Sequence, residues 1–186
     1  MTIDELIALD KKDELAVTAE EGEILRNLIK DIDPKLILEV GTGHGYSTLW
    51  MYNGLGPDGF IYTIDKERRE HLFTGTDRIK FLEGKLSELI NDIPEKLDVV
   101  FLDTDHLIYK VVPDIDLVTP KLKVGSVVVI HDTNYRTVLG RCLVDYFKGE
   151  ETDLLKEEKT EPSKLKWDYR ELKTEFGLGI ATLNER

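Results

Sequence analysis

Cysteine is almost absent from this chain: Cys142 is the only one in 186 residues. A single thiol forms no internal disulfide, which excludes a disulfide-stapled scaffold and suits a reducing compartment. Long apolar runs are missing too, none approaching the roughly 20 residues that cross a bilayer. The opening stretch, with Asp4 and Glu5, lacks the basic-then-apolar character of a secretory leader. A cytoplasmic location with no membrane partner is therefore expected. Cations are outnumbered, with 25 Lys and Arg against 37 Asp and Glu and a net charge of −12. A polyanion needs clustered Lys and Arg, so nucleic acid is not an expected partner. There are no internal repeats and no low-complexity segments. What is present, 41% apolar and 33% charged residues, is the make-up of a globular protein large enough to bury one core. One domain is expected over 1–186, with 1–33 as an N-terminal helical cap and 34–186 as the core.

Hydrophobic spacing then divides the chain. Thr18 and Glu21 read as a capping box, followed by Ile24, Leu25, Leu28, Ile29 and Ile32 on one helical face and a stop at Asp33-Pro34. Buried strands are predicted at 36–40, 60–64, 78–83, 97–102 and 126–130. Between them come a helix at 46–53, a turn cluster at 54–59, and a helix marked by Leu86, Leu89, Ile90 and Ile93. A helical segment that Pro113 should begin or kink follows the fourth strand. After the fifth strand, Val138, Leu139, Cys142, Leu143, Tyr146 and Phe147 form the stripe of another helix, placing Cys142 in the core. Residues 149–163 read as a mobile loop, and 164–173 with 177–183 as an antiparallel pair. Strands alternating with helices give a doubly wound α/β sheet.

The most informative stretch closes the first strand: Glu39-Val40-Gly41-Thr42-Gly43-His44-Gly45-Tyr46-Ser47. Glycines let a chain turn sharply from strand to helix and let a ligand lie against bare backbone. The dinucleotide pattern G-x-G-x-x-G is not met, because Tyr46 takes the place of the third glycine. A carboxylate before the turn gives a diphosphate nothing, whereas a cationic, amine-bearing ligand gains from it. A nicotinamide dehydrogenase is disfavoured on both counts. Asp65 ends the second strand about 20 residues on, where an acidic side chain can hold ribose hydroxyls.

Glu39-x-Gly41-x-Gly43-x-Gly45 resembles motif I of the class I S-adenosylmethionine-dependent methyltransferases, and Gly45-Tyr46-Ser47 is similar to the small-molecule O-methyltransferases of catechol, caffeoyl-CoA and sugar type. The resemblance implies a Rossmann-like, mostly parallel seven-stranded sheet closed by a C-terminal antiparallel hairpin. It implies S-adenosylmethionine as cofactor, bound around Glu39, Gly41, Thr42, Gly43, Tyr46, Ser47, Asp65, Lys66, Lys85, Leu86 and Asp103, with Leu86 the better placed of its pair to pack on the adenine. His44 borders that site without a catalytic role, and His71 reads as solvated on a charged helix.

Ligands in open α/β sheets bind at the carboxyl ends of the strands, and here those ends carry Glu39, Asp65, Asp103, Asp105, His106, His131 and Asp132. Asp103, His131 and Asp132 can converge on one divalent ion. The resemblance supports this, since metal-dependent members carry an aspartate after the fourth strand and an acidic or Asp-Asn pair after the fifth. His131 stands where an acid is usual, so magnesium leads while manganese, iron and zinc stay in range. His106 occupies the place of that family's general base, which with Asp103 makes the expected catalytic pair. Methyl transfer to oxygen needs a deprotonated nucleophile, and both a divalent ion and a positioned histidine favour it. The implied reaction is transfer of a methyl group to a hydroxyl of a small molecule, a catechol-like phenol or a sugar, and a homodimer is compatible with it. The alternative is a non-catalytic or partner-dependent S-adenosylmethionine-binding protein of the same fold.

Overall fold

The computed structural model describes residues 1–9, 17–69, 72, 73, 75–134 and 137–185. Two helices precede the sheet, α1 (Ile3–Leu9) and α2 (Ala19–Ile32). The capping box forms as expected: Glu21 N–H donates to Thr18 Oγ1 at 3.2 Å, and Thr18 N–H donates to Glu21 Oε2 at 2.9 Å. Asp33, in the left-handed region at φ 47°, stops α2 before Pro34. Then follow β1 (Leu36–Val40), α3 (Tyr46–Gly54), β2 (Phe60–Asp65), β3 (Ile79–Glu83), α4 (Leu86–Leu89), β4 (Leu97–Leu102), α5 (Ile108–Val118), β5 (Leu122–His131), α6 (Thr137–Lys148), α7 (Asp153–Glu157), β6 (Lys166–Leu172) and β7 (Leu178–Glu185).

The seven strands lie in the order β3-β2-β1-β4-β5-β7-β6. The first five pair in parallel, and β7 enters antiparallel between β5 and β6. The strand order reverses between β1 and β4, where a doubly wound sheet opens a crevice for ligand. Strand alternation decides what faces each side. Leu38, Val40, Val100, Leu102, Val128 and Ile130 point into the core shared with α4 to α7. Ile37, Ile61, Val99, Phe101, Val127 and Val129 point into the one shared with α1 to α3. By the same parity Glu39 and His131 belong to the α1–α3 face, which brings α2 over the site.

Several expectations change. Segment 149–163, read as a loop, holds α7, because Thr152 caps it and Leu155 is fully buried. The helix after β3 is a single turn continued by a 3₁₀ turn at Ile90–Asp92. Pro113 lies inside α5 and does not begin it. The described residues between β2 and β3 form no helix, which interrupts the strand–helix alternation, and His71 lies outside the described residues. Leu6 of α1 and Leu25 and Ile29 of α2 pack into the core on one face of the sheet. Gly22 admits the Trp50 ring of α3 to within 2.4 Å of where a Cβ would stand. No helix among the described residues is long and apolar enough to cross a membrane.

Candidate active site

The glycine turn after β1 is held from below. Gly41, at φ +99°, has the Asp103 carbonyl oxygen 2.0 Å from where a Cβ would be, so a side chain there would part the tips of β1 and β4. Gly41→Ala is expected to cost about 3 kcal/mol, combining a left-handed alanine with overpacking, read as a lowered midpoint in urea. Gly43 (φ +52°) is the contrast: a Cβ would meet nothing within 4 Å, so bare backbone faces open space. Its N–H donates to Asp65 Oδ2 at 2.9 Å, and Asp65 Oδ1 accepts from Glu67 N–H at 3.2 Å. A carboxylate offers about four lone-pair sites, so Asp65 keeps acceptor capacity at the rim.

Glu39 is fully buried and pairs in register with Thr63 of β2. Its carboxyl accepts from Ser47 Oγ at 2.6 Å, Thr48 Oγ1 at 2.5 Å and Thr63 Oγ1 at 2.5 Å. Burial pushes its pKa up to about 7 against the pull of these donors, with nearby Asp103 adding to the rise. The expectation that this carboxylate meets a cationic ligand directly is corrected: strand parity turns it under the loop, where it ties the loop to α3 and β2. An acid whose folded pKa is raised binds its proton more tightly when folded. Its contribution therefore favours the fold below about pH 4.5 and is lost as pH rises to about 7. Glu39→Gln is expected to remove a fall on the order of 3 kcal/mol over that window, measured as the difference between wild-type and variant unfolding free energies at pH 4.5 and 8.

Other predicted cofactor contacts also turn inward. Tyr46 is buried with its hydroxyl donating to the Leu6 carbonyl of α1 at 2.9 Å. Thr42 shares a 2.6 Å hydrogen bond with Thr63, and the Ser47 hydroxyl is taken by Glu39. For these three, only backbone is left to face a ligand in the turn. Leu86 is 4% exposed and packs in the α4–α7 core, leaving little of it for a ring, while Lys66, Lys85 and His44 stand exposed.

The second cluster lies at the tips of β4 and β5. His131 Nδ1 is 3.3 Å from Asp103 Oδ1 and 3.5 Å from Asp132 Oδ2. Ligand atoms of Asp103, His131 and Asp132 all lie within 4.8 Å of one another. Asp132 holds its place in a left-handed conformation, φ 61°, the strained backbone that tends to collect at functional sites. His106, two residues before α5, brings Nδ1 to 3.1 Å from Asp132 Oδ2, close but not aligned as a hydrogen bond. Its backbone is pinned by Asp105 Oδ1, which accepts from the N–H groups of His106 and Leu107.

Reasoning from sequence missed Glu21. It is fully buried, 3.3 Å from His131 Nε2, on the opposite edge of the ring from the two aspartates. Burial works to raise its pKa, but donors from His131, Thr174 and Thr18 outweigh that and hold it at about 2. Burial likewise works to lower the pKa of His131, and Asp103, Asp132 and Glu21 push it up to about 12. The signal was present: Glu21 stands four residues before Leu25 and eight before Ile29, in phase with the buried stripe of α2. Its capping role concealed this.

A parallel sheet ordered 3-2-1-4-5 with an inserted antiparallel seventh strand, a glycine turn after β1 and an acidic tip on β2 together define the class I methyltransferase fold. The family described as "Methyltransferase domain" matches residues 38–133, and the chain belongs to it. A protein of Mycobacterium ulcerans (strain Agy99) named "Putative O-methyltransferase" is 36% identical over 129 residues, covering 62% of this chain. The chain spans 55% of that relative's length. Among solved structures, the O-methyltransferase TomG from Streptomyces achromogenes, in complex with SAM, superposes with a TM-score of 0.69 at 20% identity, covering 98% of this chain and 89% of that one. The O-methyltransferase from Bacillus cereus in complex with SAH gives 0.68 at 17% identity, with 98% and 90% covered. At these identities the superpositions speak for the fold.

Proposed function

We propose that this chain is an S-adenosylmethionine-dependent O-methyltransferase that methylates a hydroxyl of a small molecule, a catechol-like phenol or a sugar, beside a divalent ion held by Asp103, His131 and Asp132. The observation that carries the reading is the convergence of those three groups beside the glycine turn, where Asp103 touches Gly41. The cofactors of the two superposed enzymes and the names of the mycobacterial relatives support the methyl donor and the oxygen acceptor.

The donor set suits such an ion. Cis ligands of an octahedral ion with bonds of about 2.1 Å lie about 3 Å apart, close to the 3.3 and 3.5 Å from His131 Nδ1 to the two carboxylates. Two carboxylates with one imidazole fit manganese or iron(II) as well as magnesium. When bound, such an ion lowers the pKa of a hydroxyl that reaches it. The rest is the chain's own work. The Gly43 backbone gives the cofactor room, and Asp65 takes ribose hydroxyls. His106 accepts the acceptor's proton at Nε2 while Asp132 stands beside Nδ1. The freed oxygen attacks the methyl carbon of the sulfonium, the C–S bond breaks, and S-adenosylhomocysteine leaves as a neutral thioether.

The test is calorimetric titration with S-adenosylmethionine, with Mn²⁺ or Mg²⁺ and after chelation, followed by transfer of labelled methyl to a panel of catechols and sugars. Micromolar cofactor binding with chelator-sensitive transfer is the expected result; absence of cofactor binding would end the proposal. Gly43→Ala should fold, because its Cβ meets no protein atom and its left-handed backbone alone costs about 1–2 kcal/mol, yet weaken cofactor binding about tenfold or more by occupying the space above the turn. One observation favours a second reading, cofactor binding without metal or turnover: His131, held as imidazolium among three carboxyl groups, already supplies the cluster with a cation.

A further inference from the structure

We infer that Glu21, on α2, is the positioning residue that orients His131 toward the divalent ion. The inference rests on the metal site proposed above and deepens it. An imidazole binds a metal through one nitrogen, and its direction and tautomer are set by what the other nitrogen does. Such rings nearly always donate their second N–H to a carboxylate, a carbonyl or water. Here the two edges of His131 face different partners. Nδ1 points to Asp103 and Asp132, the other two groups of the cluster, and Nε2 points to Glu21 Oε2 at 3.3 Å. Donation of Nε2–H to Glu21 leaves the Nδ1 lone pair directed at the ion.

Glu21 is built to stay where it is. Oε2 also accepts from Thr18 N–H at 2.9 Å and Thr18 Oγ1 at 3.1 Å. Oε1 accepts from Thr174 Oγ1 at 2.5 Å and Phe176 N–H at 3.1 Å. With both oxygens occupied, the carboxylate cannot swing round to ligate the ion itself. The ring has little freedom either, since the aromatic rings of Phe101 and Phe176 lie 6.3 and 5.9 Å from it, centroid to centroid. The same carboxylate therefore joins α2, the β6–β7 turn and the tip of β5. A cap alone would not require this arrangement, because the Thr18 contacts would suffice for it.

The experiment compares Mn²⁺ affinity, by electron paramagnetic resonance, in the wild-type chain, Glu21→Gln and Thr174→Val. In Glu21→Gln either amide orientation sets an NH₂ group against a donor, His131 or Phe176 N–H, and affinity should fall about 10- to 100-fold with S-adenosylmethionine binding unchanged. Thr174→Val loosens the same anchor on the side away from His131, so it should lower thermal stability while keeping Mn²⁺ affinity. Equal Mn²⁺ affinity in Glu21→Gln and wild type overturns the inference, as does an equal loss in Thr174→Val. A wild-type chain that binds no Mn²⁺ instead overturns the metal site itself. If Glu21→Gln does not fold, ¹⁵N chemical shifts of His131 in the Zn²⁺-loaded wild type decide: a protonated Nε2 with ligated Nδ1 is expected, and the reverse tautomer overturns the inference.

Discussion

Replacing His106 with alanine is expected to lower kcat by about 10²- to 10⁴-fold, the usual contribution of a positioned general base, while the Kd for S-adenosylmethionine stays unchanged. The side chain is 38% exposed at the mouth of the cluster, so it reaches an incoming acceptor without helping to form the turn at Gly43. Asp105 fixes its backbone, and Asp132 stands 3.1 Å from Nδ1, so the ring is held beside the cluster by its Nδ1 edge. The imperfect alignment with Asp132 does not count against the role, because catalytic hydrogen bonds often tighten only once substrate is bound. Cofactor affinity by calorimetry and single-turnover transfer rate separate binding from chemistry. Added imidazole should restore part of the lost rate in His106→Ala. An unchanged kcat, or a loss matched by weaker cofactor binding, would remove the assignment.

The fold was legible because its signals are local. Alternating glycines, apolar runs of strand length and acidic strand ends read directly as βαβ units, and the closing pair was marked by spacing at 164–173 and 177–183. The one-turn α4 and the short α7 were harder, since five residues or fewer carry too little periodicity and Leu155 is fixed by tertiary burial. At the site, the sequence named the residues at the strand tips but not which way they point. Parity along β1 sends Glu39 inward, and a hydroxyl eight or more residues away, on Ser47, Thr48 or Thr63, completes its shell. Glu21 and His131 are 110 residues apart and meet only because α2 crosses the face that carries odd-numbered side chains of β5. No local pattern encodes such a contact. A charged residue in phase with an apolar stripe is the nearest thing to a warning.

The affinity for a divalent ion is expected to rise about tenfold per pH unit, hence about 100-fold between pH 6 and 8, because binding at Nδ1 displaces one proton. The sign follows from the groups that surround the ring. Glu21 from α2, Asp103 after β4 and Asp132 after β5 all face His131 and raise its pKa to about 12, outweighing the burial that works to lower it. In the metal-free protein this contribution to stability is therefore complete below about pH 6.5 and declines as pH climbs toward 12. Glu21, held at about 2, keeps its charge throughout the interval and adds no slope. An ion must compete with the proton on Nδ1, and each rise of one pH unit weakens that competitor by about 1.4 kcal/mol. Mn²⁺ titrations at pH 6, 7 and 8, repeated in buffers of different ionisation enthalpy, report both the slope and the proton count. About one proton released per ion is the expected value. A flat profile with no proton release would mean that the imidazolium keeps its proton and fills the ion's place among the carboxylates, leaving a cofactor-binding chain in which any deprotonation of substrate falls to His106 alone.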